Sequence, residues 1–125
     1  FGFGIFVDHE LAGEINLNHV LRGAMQGATV GYWIDQARAG QSFVTEAVVV
    51  VAAFAFDQLE LHRIEICIVP RNHNSRRVME KLEIREEGLA QRFLEINGVW
   101  EDHVRYGFTV EEWEARADEL RARWL

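Results

Sequence analysis

A loop of small and polar residues lies between two apolar runs near the middle of the chain, and this arrangement is typical of a site for an anion. The run Gly31–Ile34 mixes aromatic and branched side chains and predicts a short strand. The run Val44–Phe56 is too long and too unbroken for a strand and predicts a buried helix. The first amides of a helix have no partner within it, and the helix dipole adds positive potential there. The loop therefore predicts a site for a phosphate or pyrophosphate.

The same residues also fit a plain connection between a strand and a helix that binds nothing. The loop holds a single glycine, Gly40. It lacks the lysine of a P-loop and the glycine triplet of a dinucleotide-binding fold. From these residues alone, both interpretations stay open.

The loop resembles the acetyl-CoA-binding motif of the GNAT acetyltransferases, which reads Gln/Arg-x-x-Gly-x-Gly/Ala and follows a strand. On this chain the motif covers Ala37–Ser42. Ala37 stands where the family has Gln or Arg, and Ser42 stands where it has Gly or Ala. Ser42 is still small enough for a phosphate to approach its amide, so the resemblance implies a weakened but possible hold on the pyrophosphate.

A second segment resembles the ribosomal-protein N-acetyltransferases of the RimJ/RimL type within that family. It reads Asn72-x-x-Ser75-x-x-Val78-x-x-Lys81-Leu82. Asn72 is also a good N-cap, and the apolar spacing behind it predicts a helix that ends at Leu82. The family continues with Gly-Phe, whereas this chain has Glu83-Ile84. A left-handed cap costs Glu roughly 1 kcal/mol relative to Gly, so we expect a reshaped helix end.

The order of the predicted elements matches the GNAT fold from its second strand onward, over about residues 1–108. The resemblance implies one α/β (mixed α+β) domain over residues 1–125 with a GNAT-like acyl-CoA N-acyltransferase fold. Its central mixed sheet holds a splayed parallel pair, Thr29–Asp35 and Arg63–Val69, flanked by helices. The crossover helix Val44–Leu59 supports parallel pairing independently. The second strand is nearly all apolar, which predicts cover on both faces.

Turn and cap signals place the remaining elements. Asn97-Gly98 favours a type I′ turn, and Thr109-x-x-Glu112 is a capping box ahead of a C-terminal helix. The other predicted elements are the strands Phe3–Val7, Leu11–Leu17, Glu86–Ile96 and Val99–Phe108, and a loop over Asn18–Ala28.

The chain begins at Phe1, within a predicted strand, and it does not show the N-terminal strand and two helices that precede this point in the family. We therefore expect an N-terminally incomplete domain. Its long apolar helix needs cover that those helices would supply, so we also expect self-association, most simply as a homodimer.

The resemblance implies acetyl-CoA as the co-substrate, with its pantetheine arm in the gap between the splayed strands. Ser75 stands where some relatives have the acid that protonates the leaving thiolate. Its hydroxyl would hydrogen-bond to that charge or, alternatively, only to the helix backbone. Arg76 and Arg77 would attract a nucleotide phosphate or be solvated. The residues that the resemblance assigns to the co-substrate are Trp33, Ile34, Asp35, Arg38, Ala39, Gly40, Gln41, Ser42, Phe43, Val44, Thr45, Asn72, Ser75 and Arg76.

The residue that would take the proton from the acceptor amine is left open. In one branch of the family a Glu before the Asn-Gly turn has this role, but Leu94 stands there. The candidates that remain are Glu14, Glu65, Asp102 and His103. Cys67 lies in an apolar run and is expected to be a buried small side chain that carries no acyl group. Direct attack in a ternary complex, the usual route of the family, is therefore implied.

Composition bounds the function further. The chain has 125 residues and a net charge of −7, which argues against direct binding of nucleic acid. No apolar run reaches the roughly 18 residues of a membrane span, so we expect a cytoplasmic protein with no membrane partner. The histidines and carboxylates form no metal-ligand spacing, so no metal is expected.

Two functions follow. The first is transfer of the acetyl group of acetyl-CoA to an amine, with a protein N-terminal α-amine as one candidate acceptor. The alternative is a non-catalytic module that binds CoA or another protein and has kept the fold without the chemistry. The departures at Ala37, Ser42, Glu83 and Leu94 favour this alternative.

Overall fold

A six-stranded mixed sheet carries the fold in the computed structural model, which describes all residues 1–125. Its spatial order is β1-β2-β3-β4-β6-β5. The strands are β1 (Gly2–Val7), β2 (Glu10–Leu21), β3 (Gly27–Ile34), β4 (Arg63–Ile68), β5 (Arg85–Ile96) and β6 (Val99–Thr109). The helices are α1 (Phe43–Ala53), α2 (His73–Leu82) and α3 (Val110–Trp124), with a 3₁₀ turn at Gln36–Arg38 and a π-helical turn at Phe54–Gln58.

The parallel pair is confirmed, and it is splayed. β3 and β4 pair in parallel only from Gly27–Thr29 to Arg63–Glu65. Beyond Thr29 the edge of β3 that faces β4 has no strand partner, while its other edge stays paired with β2 as far as Ile34. The sheet therefore opens a gap toward the carboxyl ends of these two strands.

β4 differs from the prediction that both of its faces are covered by apolar groups. Ile64, Ile66 and Ile68 are buried, but the alternate residues are only partly buried. The second face carries charge, because Glu65 accepts hydrogen bonds from Arg105 (2.7 Å) and Arg63 (3.4 Å). The sequence did not reveal this charged face, because the partner of Glu65, Arg105, lies 40 positions away in the chain.

The core lies between the sheet and the helices α1 and α3, and Met79 and Leu82 of α2 complete it. Val48, Val49 and Ala52 of α1 are buried against the sheet. From α3, the Trp113 ring stacks on Phe56 at a centroid distance of 6.0 Å. The indole N–H of Trp113 donates to Asp57 Oδ1 at 3.1 Å, which satisfies its one buried polar atom.

Most of the predicted turns and caps are confirmed. Asn97 and Gly98 both have positive φ, as a type I′ turn requires. The Asn72 side chain accepts the Ser75 amide, and Thr109 and Glu112 form the capping box. The expected loop over residues 18–28 is too long. Leu21 of β2 still pairs with Gly27 of β3, so the loop between the two strands holds only residues 22–26.

The expected reshaping at the end of α2 is also wrong. Glu83 adopts the left-handed conformation, φ 52° and ψ 43°, that glycine takes in the family. The amide of Ile84 donates to the carbonyl of Met79 at 3.0 Å, which closes the helix in the usual way. Arg116 of α3 donates to the carbonyl of Glu83 at 3.3 Å, and this contact offsets part of the backbone strain.

An apolar groove of about 430 Å³ runs between β1 and α1. Phe6 is 66 % exposed, Val50 53 % and Leu125 63 %, so large apolar groups line it without cover. This is the face on which we expected self-association, and that expectation stays a prediction, which sedimentation at micromolar concentration tests. None of the three helices is both long and apolar enough to cross a membrane.

Candidate active site

A cleft of about 370 Å³ lined by polar and apolar residues lies where β3 leaves β4. One wall is formed by the end of β3, the loop behind it and the first turn of α1; the other wall is α2. The cleft is lined by Tyr32, Trp33, Ile34, Gln36, Arg38, Ala39, Gly40, Ser42, Phe43, Val44, Thr45, Asn72, Asn74, Ser75, Arg77, Val78 and Lys81.

The loop holds the N-terminus of α1 open to the cleft. The Asp35 amide donates to the carbonyl of Ala12 at 2.7 Å, which ties the start of the loop to β2. Gly40 and Ser42 both take positive φ, 83° and 67°, and so turn the chain into the helix. The Ser42 side chain makes no capping hydrogen bond, so the first amides of α1 lack the acceptor that most helices supply there.

Thr45, in the first turn of α1, has a buried hydroxyl without a partner. The residue is 1 % exposed, and its Oγ1 makes no hydrogen bond within the protein. Leaving such a group unpaired costs about 1–3 kcal/mol. Thr45 is also one of the residues that line the cleft, so a ligand bound there would lie beside it.

The electrostatics of the cleft oppose those of the whole chain. The chain has a net charge of −7, yet no Asp or Glu is among the residues that line the cleft. Three cationic residues line it, namely Arg38, Arg77 and Lys81. Together with the positive end of the α1 dipole, they favour an anionic ligand.

The α2 wall is joined to β3 by a partly buried tyrosine. The Tyr32 hydroxyl donates to the main-chain carbonyl of Ser75 at 3.2 Å. Burial raises the pKa of Tyr32, so the phenol stays a neutral donor. This contact fixes the first turn of α2 and places Ser75 at the cleft.

Eleven of the fourteen residues that the sequence assigned to the co-substrate line this one cleft. Asp35, Gln41 and Arg76 do not. Arg76 points away from it, with its Nε donating to the Tyr106 hydroxyl at 3.3 Å and a second guanidinium nitrogen 3.6 Å from Glu86. These contacts raise the pKa of Arg76, chiefly through the hydrogen bond to Tyr106.

Sequence reasoning missed several cleft residues on α2. Asn74, Val78 and Lys81 line the cleft together with Arg77, for which the sequence left a phosphate contact and solvation both open. Their spacing of i, i+3, i+4 and i+7 is that of one helix face, so this pattern was a signal that could have found them. Tyr32 and Gln36 were also missed; strand alternation places Tyr32 on the same face as Ile34, which the sequence did assign.

The candidate bases lie outside the lining of the cleft. Glu14 lies next to a residue of the cleft, because its Oε2 accepts a hydrogen bond from the indole N–H of Trp33 at 3.2 Å. Glu65 is bound by two arginines on the far face of the sheet. Asp102 accepts the amide of Arg92 at 2.9 Å, and His103 is 3 % exposed.

Cys67 is less buried than the sequence indicated, since its side chain is only partly covered. Burial raises the pKa of its thiol to about 11, and the nearby carboxylate of Glu65 adds to this effect. The group is therefore a neutral thiol at pH 7 and a poor nucleophile. No group of three or more His, Cys, Asp or Glu side chains is placed to hold a metal ion.

Comparison with known proteins defines the class to which this fold and cleft belong. Residues 1–85 match the acetyltransferase (GNAT) domain. The chain therefore belongs to the GNAT acetyltransferase family. In that family it is 48 % identical over 105 residues to a probable N-acetyltransferase, YjcK, of Bacillus subtilis, a match that covers 82 % of this chain and 58 % of the relative.

Two further similar proteins bear on the substrate and the ligand. One is named as a ribosomal-protein N-acetyltransferase, and the other has a structure in complex with a CoA compound. The [ribosomal protein uS5]-alanine N-acetyltransferase of Escherichia coli is 31 % identical over 115 residues, covering 90 % of this chain and 59 % of the relative. The structure of Mycobacterium smegmatis RimJ in complex with CoA-disulfide has a TM-score of 0.82 at 33 % identity, covering 93 % of this chain and 59 % of that one. The chain thus spans about three fifths of the length of the relatives it matches.

Proposed function

We propose that this chain binds acetyl-CoA in the cleft and transfers its acetyl group to an amine, with a protein N-terminal α-amine as the acceptor. The observation that carries the proposal is the uncapped N-terminus of α1 beside the unpartnered Thr45 hydroxyl, in a cleft without acidic residues. These groups bind the pyrophosphate through amides and one hydroxyl. The RimJ complex with CoA-disulfide supports the choice of ligand.

The pantetheine arm lies along the open edge of β3. Past Thr29 this edge has no strand partner, so its main-chain groups are free to pair with an extended chain of amides. Trp33 and Ile34 line the cleft on this edge. The arm thus leads the thioester from the pyrophosphate toward the gap between β3 and β4.

The reaction is direct attack within a ternary complex. The deprotonated nitrogen attacks the thioester carbonyl carbon, a C–N bond forms, and the C–S bond breaks to release a thiolate, while the nitrogen gives one further proton to solvent as it becomes the amide. The Ser75 hydroxyl hydrogen-bonds to that developing charge, and solvent supplies the thiolate with its proton. Cys67 takes no part, because its raised thiol pKa leaves it neutral.

Glu14 takes the proton from the incoming ammonium. It is the one candidate base whose hydrogen bond reaches a residue that lines the cleft, Trp33. It is also exposed, so an ammonium can approach it from solvent. An acidic chain of net charge −7 attracts a basic acceptor. The name of the uS5-alanine relative supports a protein N-terminus as that acceptor. We propose the cytoplasm as the place of this reaction.

The test pairs binding with turnover. CoA is titrated by calorimetry, and release of free CoA thiol is followed with acetyl-CoA and an alanine-initiated basic peptide. The matched control is the same peptide with a blocked N-terminus. We expect CoA binding, and thiol release only with the free N-terminus. Binding without turnover on any amine would instead favour the non-catalytic module, which no contact in the cleft supports at present.

A further inference from the structure

Two cationic side chains on the α2 wall of the cleft have no partner in the protein. Eight of the thirteen Lys and Arg side chains form ion pairs with carboxylates. Arg38 at the cleft is one of these, paired with Glu10 at 3.3 Å. Arg77 and Lys81 form neither an ion pair nor a side-chain hydrogen bond, although the chain is acidic overall and both residues line the cleft.

Their spacing on the helix makes this arrangement unfavourable without a ligand. Residues four apart on a helix lie roughly 6 Å from each other on one face, and like charges at that spacing destabilise the helix. Lys81 lies in the last turn, where the helix dipole favours a cation, but Arg77 lies too far from that end to benefit. An anion between the two side chains removes the repulsion and binds both.

The anion that they bind is distinct from the one at α1. The N-terminus of α1, with the Thr45 hydroxyl, belongs to one wall of the cleft, and Arg77 and Lys81 belong to the other. A ligand that carries two separated anionic groups can place one at each wall. CoA has this property, since its ribose carries a 3′-phosphate apart from the pyrophosphate.

We propose that Arg77 and Lys81 bind the 3′-phosphate of CoA and thereby select CoA over dephospho-CoA. This inference rests on the proposed function, because it assumes that the pyrophosphate occupies the α1 end of the same cleft. Arg77 and Lys81 are specificity-determining residues in this scheme. They do not touch the thioester, so they act on affinity and leave the chemical step unchanged.

The experiment compares CoA with dephospho-CoA by calorimetry, at low and at high salt. Charge-assisted hydrogen bonds to a phosphate are worth about a tenfold change in affinity each. We expect the wild-type chain to bind CoA at least about tenfold more tightly than dephospho-CoA. The double variant Arg77→Gln/Lys81→Gln should reduce this preference to about twofold or less, by weakening CoA while dephospho-CoA is almost unaffected.

The control variant is Arg92→Gln, which removes one exposed positive charge from β5, outside the cleft. It should keep the full preference for CoA. With acetyl-CoA, the double variant should raise KM and leave kcat unchanged. High salt should shrink the wild-type preference, because Arg77 is exposed and Lys81 is partly exposed.

The outcomes separate this inference from the function on which it rests. Equal binding of CoA and dephospho-CoA by the wild-type chain overturns the assignment of Arg77 and Lys81, while the proposed function stands. A preference that survives in the double variant overturns it as well, since another group then binds the 3′-phosphate. Absence of binding of either compound overturns the proposed function and this inference together.

Discussion

The hydroxyl of Tyr32 donates a hydrogen bond to the main-chain carbonyl of Ser75, 3.2 Å away, and so joins the end of β3 to the first turn of α2. The two residues are 43 positions apart in the chain, and both line the cleft. This contact spans the two walls directly. The position of the Ser75 side chain therefore depends on Tyr32 as well as on the Asn72 cap.

We predict that Tyr32→Phe reduces both stability and turnover. The substitution keeps the ring but leaves the Ser75 carbonyl without its partner, which should lower the free energy of unfolding by about 1 kcal/mol. The first turn of α2 should also loosen, so kcat falls while CoA affinity changes little. Urea unfolding and thiol release measure the two effects. Tyr106→Phe is the matched control outside the cleft; it should leave kcat unchanged, and an equal loss of kcat would contradict the role given to Tyr32.

We predict that Ser75→Ala lowers turnover and leaves CoA affinity nearly intact. The hydroxyl is proposed to act on charge that exists only as the thiolate leaves, so its loss should appear in kcat. Single-turnover kinetics and calorimetry on the same sample separate the two quantities. A loss of affinity with unchanged turnover per bound enzyme would instead make Ser75 a binding residue.

We predict that Gly40→Glu weakens CoA binding at least about tenfold. The Cβ at position 40 meets no other atom within 4 Å, so the free protein has room for the side chain. The carboxylate would stand beside the bound phosphate and repel it. Positive φ adds strain, and Gly23→Glu controls for this, because Gly23 has φ 71° and open space in a loop outside the cleft. Equal weakening in both variants would remove the assignment of the loop as an anion site.

The stability of the chain should depend on acidic pH through Glu87. Arg63 donates to Glu87 Oε2 at 2.9 Å, and this hydrogen bond is the main reason that the pKa of Glu87 falls to about 2. Because the folded-state pKa lies below the usual value of 4.5, the stabilisation is present above pH 4.5. It is lost as the pH falls from about 4.5 toward about 2.

Urea unfolding at pH 7 and pH 3 tests this dependence. Glu87→Gln should be less stable than wild type at pH 7, and it should lose less stability between the two pH values. Glu95→Gln removes a carboxylate of β5 that forms no ion pair, and it should follow the wild-type pH dependence. If Glu87→Gln also follows it, the ion pair contributes nothing measurable to folding.

Signals from neighbouring residues predicted the turns and helix caps. The extent of β2 was not predicted, because it depends on pairing with a strand farther along the chain. The Asn97-Gly98 turn and the caps at Asn72 and Thr109 are read from residues next to one another, and all three are present. β2 continues from Asn18 to Leu21 through residues expected to form a loop, with a register shift on the way, because pairing with β3 overrides their propensity.

The two neighbouring arginines of α2 show why side-chain roles were harder to predict. Arg76 and Arg77 are adjacent in sequence but point in directions about 100° apart on the helix. Arg76 reaches Tyr106, 30 residues away, while Arg77 lines the cleft. Which of them faces the cleft depends on how α2 packs. Its buried Met79 and Leu82 fix that packing, but only after the sheet supplies their partners.

We predict that Thr45→Val makes the ligand-free protein more stable and lowers its affinity for CoA. The change is nearly isosteric and removes a hydroxyl that is 1 % exposed and has no partner. Relieving that unpaired group should raise the free energy of unfolding by about 1 kcal/mol. The same change removes one hydrogen bond to the pyrophosphate, so CoA affinity should fall by about tenfold.

The opposite signs of the two effects make this prediction specific to a ligand site. Denaturant unfolding without CoA and calorimetry with CoA measure them on one preparation. Thr29→Val is the control, because it removes an exposed hydroxyl of β3 that lies outside the cleft; it should leave CoA affinity unchanged. A variant at position 45 that is less stable and binds CoA as well as wild type would show that the Thr45 hydroxyl serves the fold. The anion site at the start of α1 would then have to bind its phosphate through main-chain amides alone.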